Sequence, residues 1–167
     1  IDRNNTYLLY LNNWRGINID ISQFSIDLFN FLRPDDFNLK CAVSEKEQIV
    51  KVFFQKELSQ LSTTDEKQAK KVFQGKIKSK EIQAFTLDHI IEKSKYHNKE
   101  IDLLDIDVEG ADYKVLLGLN FEKYKPKLIC VEIHNKNIKD DKIYKFLTNR
   151  GYILIWSNIF SHLFKIG

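Results

Sequence analysis

Apolar residues along the chain keep two alternating rhythms: short near-continuous runs, and stretches spaced by three or four positions. Thr6–Leu11 suits a short helix, and Asn12–Asn13 breaks it. Gly16–Asp20 reads as a compact strand that ends on an acid. Ser22 can cap a helix running to Leu32, because its hydroxyl accepts from a free N–H of the first turn. Phe24, Leu28, Phe31 and Leu32 fall on one face of that helix, and Arg33–Pro34–Asp35–Asp36 stops it. Phe37–Val43 and Ile49–Phe54 read as two more strands.

The same alternation continues towards the C-terminus. Thr86 or Asp88 opens a helix through Ile90 and Ile91 that closes at His97–Asn98. Ile101–Asp107 is a strand, Ala111–Leu119 a helix, and Lys127–Ile133 a buried strand introduced by Pro126. Asp140 can cap a helix to Arg150, with Gly151 ending it. Tyr152–Trp156 and Ile159–Ile166 are two last strands, and Ser157–Asn158 suits the turn between them. Near-continuous apolar strands flanked by helices imply an α/β domain with a mainly parallel sheet covered on both faces. The closing hairpin implies an antiparallel strand at one C-terminal edge.

One stretch departs from this pattern. Residues 57–80 are polar and carry six lysines between Lys67 and Lys80. They read as a solvated loop or helix face, or as a mobile insert near a site that meets an acidic substrate. There are no repeats and no low-complexity tract, so residues 1–167 are expected to form a single domain.

Composition narrows the classes. The 26 basic and 23 acidic residues nearly cancel, which argues against a nucleic-acid surface. Cys41 and Cys130 each sit in an apolar run and are expected to be reduced core residues. No apolar run approaches the roughly 18 residues of a spanning helix, so no membrane span is expected and cytoplasmic is the default location. The chain has no Met and starts in mid-stride at Ile1–Asp2–Arg3, so its N-terminus is expected to be trimmed or preceded by further residues.

The most informative segment is Leu103–Asp112. An apolar run ends in Asp105, Asp107 and Glu109, and Gly110 opens the next helix. Removing an unpaired carboxylate from water costs several kcal/mol or more, so buried strands do not normally finish on acids. Acids at the carboxyl end of a strand lie where open α/β sheets hold their ligands, which makes Asp107 and Glu109 candidate site residues. Glu132, inside a buried strand, needs a partner. His134, just past that strand, is the side chain whose ordinary pKa lies nearest neutrality, which suits proton abstraction from a hydroxyl. His89, His97 and His162 show no spacing that indicates a metal site.

Several segments then fall into a known order. Asn13–Asp20, Arg33–Leu39, Cys41–Ser44, Leu87–Asp88, Asp105–Ala111 and Val131–Ile133 together resemble the FkbM-type methyltransferases, with the lysine-rich middle the least similar part. The resemblance implies a Rossmann-like methyltransferase fold, S-adenosylmethionine as cofactor, and O-methylation of a sugar or polyketide-type hydroxyl. It implies that Asp20 binds the ribose hydroxyls and that Ala42, Val43 and Ser44 meet the adenine. Asp107 would lie near the delivered methyl group as base, orienter or ligand of a divalent cation. Glu109 would assist it or cap the following helix, and Asp105 would line the cofactor cleft.

Methyltransferases of this kind cradle the methionine end of the cofactor with a glycine-containing loop after their first strand. No such loop precedes Gly16, so the expectation is an N-terminally incomplete domain holding about half of the cofactor site, completed by upstream residues. The expected acceptor is a small molecule or a glycan. The alternatives are a catalytically inactive binding module of the same fold and a nucleotide-sugar-binding α/β enzyme.

Overall fold

The computed structural model describes residues 5–55, 62–64 and 66–167. Helix α1 (Tyr7–Leu11) leads into strand β1 (Ile17–Asp20) and helix α2 (Gln23–Leu32). Strands β2 (Phe37–Lys40), β3 (Ala42–Val43), β4 (Gln48–Phe54) and β5 (Ser62–Thr63) follow. Helix α3 (Glu66–Val72), strand β6 (Lys78–Phe85) and helix α4 (Leu87–Lys93) complete the first half. The second half runs β7 (Leu103–Ile106), α5 (Asp112–Leu117), β8 (Leu128–Glu132) and α6 (Lys142–Thr148), then the hairpin β9 (Tyr152–Ser157) and β10 (Ser161–Ile166).

The strands form three groups, β1–β2, β3–β6–β4–β5 and β7–β8–β10–β9. β1 with β2, β3 with β6, and β7 with β8 are parallel, and the other ladders are antiparallel. The α/β class holds, but the arrangement is mixed rather than mainly parallel. Lys78–Phe85 is the main reason. Its first three residues end the stretch 57–80 that reads as solvated, yet the segment pairs along all of β4, with Ala84 buried and Lys78, Lys80 and Glu81 exposed. Residues 57–61 and 65 of the expected polar loop lie outside the described residues.

Other boundaries moved for local reasons. The single strand expected over Phe37–Val43 is cut at the buried Cys41, so its first part pairs with β1 and its second with β6. The helix expected from Asp140 is capped instead by Asp141, which accepts from the Ile143 N–H at 2.8 Å. In α2, Phe24, Leu28 and Phe31 point to solvent, while Ile26 is buried and Phe29 half-buried. Ile26 and Phe29 are also three apart, and theirs is the face that packs. The hairpin exists, but β10 is the antiparallel strand and lies one place in from the edge. The edge strand β9 runs in the direction of β8. Cys41 and Cys130 are both free thiols, Cys41 buried and Cys130 half-buried.

The core lies between β7–β8–β10 and helices α4, α5 and α6. Ile106, Ile129, Val131 and Phe164 meet Leu116 and Leu147 there. Burying each such side chain contributes about 1.5–3 kcal/mol. No helix among the described residues is long and apolar enough to cross a membrane.

One feature of this topology positions the site. Among the described residues β1 pairs only with β2, and β7 only with β8. The two strands line a common groove of about 430 Å³. Asn5 reaches Asp105 at one bank, and Thr6 accepts from Arg33 at the other.

Candidate active site

β7 and β8 are parallel, with Asp105 opposite Cys130 and Ile106 opposite Val131. Their carboxyl ends therefore lie side by side, and the residues that follow, Asp107 and Glu132–Ile133–His134, share one end of the sheet. The groove brings Asp20, Val43, Asp105 and Asp107 onto one surface, with Ile19, Leu87 and Val108 also in its wall. Four residues assigned from sequence thus line one cavity. Carboxylates at both banks with apolar walls between them suit a ligand that carries hydroxyls and a flat ring.

Asp20 is partly committed. One of its oxygens accepts the Ser22 N–H at 2.7 Å, which fixes the carboxylate where β1 gives way to α2. Val43 ends β3 in the groove wall, whereas Ala42 is buried in the ladder opposite Ala84 and does not line the groove. Ser44 is buried; its N–H donates to the Phe85 carbonyl at 2.9 Å and its hydroxyl to Glu45 at 2.8 Å. Ser44 faces a second cavity of about 330 Å³, shared with Lys51, Thr64, Glu66 and Lys114.

After β7 the chain makes a tight turn through two consecutive left-handed residues, Glu109 at φ +51° and Gly110 at φ +93°. Glycine takes that conformation without strain, but a glutamate does so at a cost of order 1 kcal/mol. The surroundings hold it there. The Thr63 hydroxyl donates to the Glu109 carbonyl at 2.8 Å, and the Gly110 N–H donates to the Asp112 carboxylate at 3.2 Å. Asp112 is buried at the start of α5, and its Oδ1 has no hydrogen-bond partner among the described residues.

The acids are mutually destabilising. Asp107 lines the groove, and partial burial, then the Asp105 charge, raise its pKa while His134 opposes them. Burial and then Asp107 raise Glu109, and burial raises Asp112. Glu132 moves furthest. Burial, followed by the charge of Asp107, pushes its pKa up to about 7, against the pull of His134. Its carboxylate lies 3.4 Å from His134 Nε2. A carboxyl that titrates near neutrality beside an imidazole can hold or release a proton at little cost. Glu109, Glu132 and His134 do not line the groove and interact with Asp107 through charge.

Among the described residues no three His, Cys, Asp or Glu side chains converge to hold a metal ion. The possible cation at Asp107 therefore finds no ligand set here.

Four features escaped the sequence. Arg33 is 3% exposed in the groove wall, 3.8 Å from Asp36 and 3.1 Å from the Asn18 amide oxygen. The run Arg33–Asp36 reads as a helix stop and as part of the family-like order, and neither reading assigns Arg33 to the site. Asp112 carries a signal as the fourth acid of its segment. Thr63 carried none, since its partner lies 46 residues away. Phe160 also carried none, and its ring is 5.1 Å from that of His134.

Comparison with known families gives one match. A model of the methyltransferase FkbM domain matches residues 2–154. No curated protein and no solved structure matches the chain.

Proposed function

Since the chain belongs to the methyltransferase FkbM domain family, we propose that it moves a methyl group from S-adenosylmethionine to a hydroxyl oxygen of a sugar, glycan or related small metabolite. The observation that carries this reading is the shared groove. β1 contributes Asp20 to its lining, Asp105 and Asp107 come from β7 and the residue after it, and the Glu132–His134 pair, outside the lining, feels the charge of Asp107.

The residues present fit the donor. Asp20 has one oxygen committed to Ser22 and a second with which to accept from a ribose hydroxyl. The apolar walls Ile19, Leu87 and Val108 suit the adenine, and the carboxylates suit a sulfonium cation. When bound, S-adenosylmethionine supplies a methyl group on positively charged sulfur, and the electrons of the breaking S–C bond stay on sulfur.

The chain's own residues then have two tasks. The first is alignment: Asp105 and Asp107 fix the groove wall against which donor and acceptor meet. The second is removal of the hydroxyl proton as the O–C bond forms. Glu132 takes it, poised near neutrality, and His134 at 3.4 Å stabilises the pair. Asp107 orients the hydroxyl, and Glu109 sets the turn that carries Asp107.

Calorimetric titration of S-adenosylmethionine into the wild-type protein and the Asp20→Ala variant tests the reading. Binding that weakens by about 10- to 100-fold in the variant is the expected result, the scale of a lost charged hydrogen bond. Equal affinities would remove Asp20 from the site. Binding of a nucleotide sugar with none of S-adenosylmethionine would overturn methyl transfer.

A further inference from the structure

We propose that the tip of the β9–β10 hairpin, with Phe160 at its centre, is the platform on which the acceptor lies, and that it selects a neutral, ring-shaped polyol such as a hexopyranoside. This rests on the methyl-transfer reading for the identity of the reacting hydroxyl.

The hairpin tip reaches the site through the sheet. β10 runs antiparallel to β8, with Ser161 opposite Glu132, and the Ile133 N–H donates to the Phe160 carbonyl at 2.9 Å. The turn therefore projects beside Glu132 and His134. Ile159 and Phe160 are 79% and 51% exposed there, and the Phe160 ring is tilted against the His134 ring.

The tip is also firmly built. The Asn158 N–H donates to the Ser161 carbonyl at 2.8 Å, and the Asn158 side chain accepts the Ile159 N–H at 2.8 Å. Beneath it the buried His162 ring bridges the Ser157 hydroxyl and the Ile133 carbonyl. Burial holds the His162 pKa below its ordinary value, so the ring stays neutral and keeps one nitrogen to accept and one to donate. Polar bonding thus fixes an aromatic ring that the fold leaves in water.

Charge selects the acceptor class. The charges felt at Glu132 are Asp107, Asp112 and Glu109 against the single His134. An anionic acceptor would be repelled. A pyranose matches both sides, with an apolar C–H face for an aromatic ring and a hydroxyl edge for carboxylate and imidazole.

The test is saturation-transfer NMR on the full chain with methyl α-L-fucopyranoside, methyl α-L-rhamnopyranoside and methyl α-D-mannopyranoside. D-Sorbitol, with hydroxyls but no ring face, is the control. Ring C–H signals from at least one glycoside, reduced fivefold or more in Phe160→Ala, kept in Phe160→Tyr and absent for sorbitol, are expected. No glycoside signal in the wild-type protein, an unchanged signal in Phe160→Ala, or an equal signal from sorbitol would overturn the platform. Titration of S-adenosylmethionine into the same samples separates the two claims. Cofactor binding within twofold of wild type in Phe160→Ala is expected. Cofactor binding without any glycoside signal sinks the platform alone. Glycoside signals without cofactor binding sink the methyl-transfer reading and leave the platform standing.

Discussion

The Thr63 hydroxyl donates to the carbonyl of Glu109 at 2.8 Å, so the short strand β5 holds down the left-handed turn that carries the site acids. Thr63 is buried, and water cannot readily replace it. Thr63→Val should lower stability by about 1–2 kcal/mol by leaving that carbonyl without its donor, while Thr63→Ser should stay close to wild type. Thermal unfolding should show a drop of roughly 2–8 °C for the valine variant only. Equal midpoints would mean that the turn holds itself.

Glu132 sets a pH dependence. Its pKa in the folded protein is about 7, raised from 4.5. The folded state therefore holds this proton more tightly than the unfolded chain. The stabilisation is fully present below about pH 4.5 and is lost as pH rises through about 7. Glu132→Gln should remove that loss and be more stable than wild type at pH 8 by roughly 1–3 kcal/mol, with little difference at pH 4.5. Denaturant midpoints at the two pH values decide it. Turnover should run the other way, rising through pH 7 in wild type as Glu132 becomes able to accept a proton, and falling about 100-fold in Glu132→Gln.

Gly118 and Gly16 make a matched pair. A Cβ on Gly118 would stand 2.3 Å from the Ser44 carbonyl oxygen, whereas one on Gly16 meets nothing within 4 Å. Gly118→Ala must push the end of β3 aside and should cost about 1–3 kcal/mol, while Gly16→Ala should change stability by less than about 0.5 kcal/mol. Ser44 follows Val43 in the groove wall, so Gly118→Ala should also weaken cofactor binding. Chemical denaturation and calorimetry on both variants check this.

Arg33 and Asp36 are each 3% exposed at the side chain. Without Arg33, Asp36 keeps the Gly16 N–H and the Asn18 amide, each at 2.9 Å, but lies buried with no counter-charge. Arg33→Ala should cost about 3–5 kcal/mol, since Asp36 and the Asn18 amide both lose a cationic neighbour. A loss under about 1 kcal/mol in urea unfolding would show that water takes the place of the guanidinium.

What could be read from the sequence follows from how local each signal is. Leu103–Asp107 announces itself because acids ending an apolar run conflict with burial, and the conflict marks the site. The helix caps Ser22 and Thr86 are equally local, accepting from Ser25 and His89. β6 gives no local signal because Lys78–Glu81 are all exposed and burial is confined to Ala84 near its end. In α2 both Phe24–Leu28–Phe31 and Ile26–Phe29 repeat at helical spacing, and only the neighbours choose the second set for the packed face. Thr63, Arg33 and Phe160 gain their meaning from partners distant in sequence, which no local pattern shows. The resemblance points to a methyltransferase family, and of the named acids Asp20, Asp105 and Asp107 line one groove.

The groove itself has a mechanical consequence. Its banks, β1 and β7, share no ladder among the described residues. A ligand that grips both banks therefore acts as a strut, joining two strands that no backbone hydrogen bond among those residues ties together.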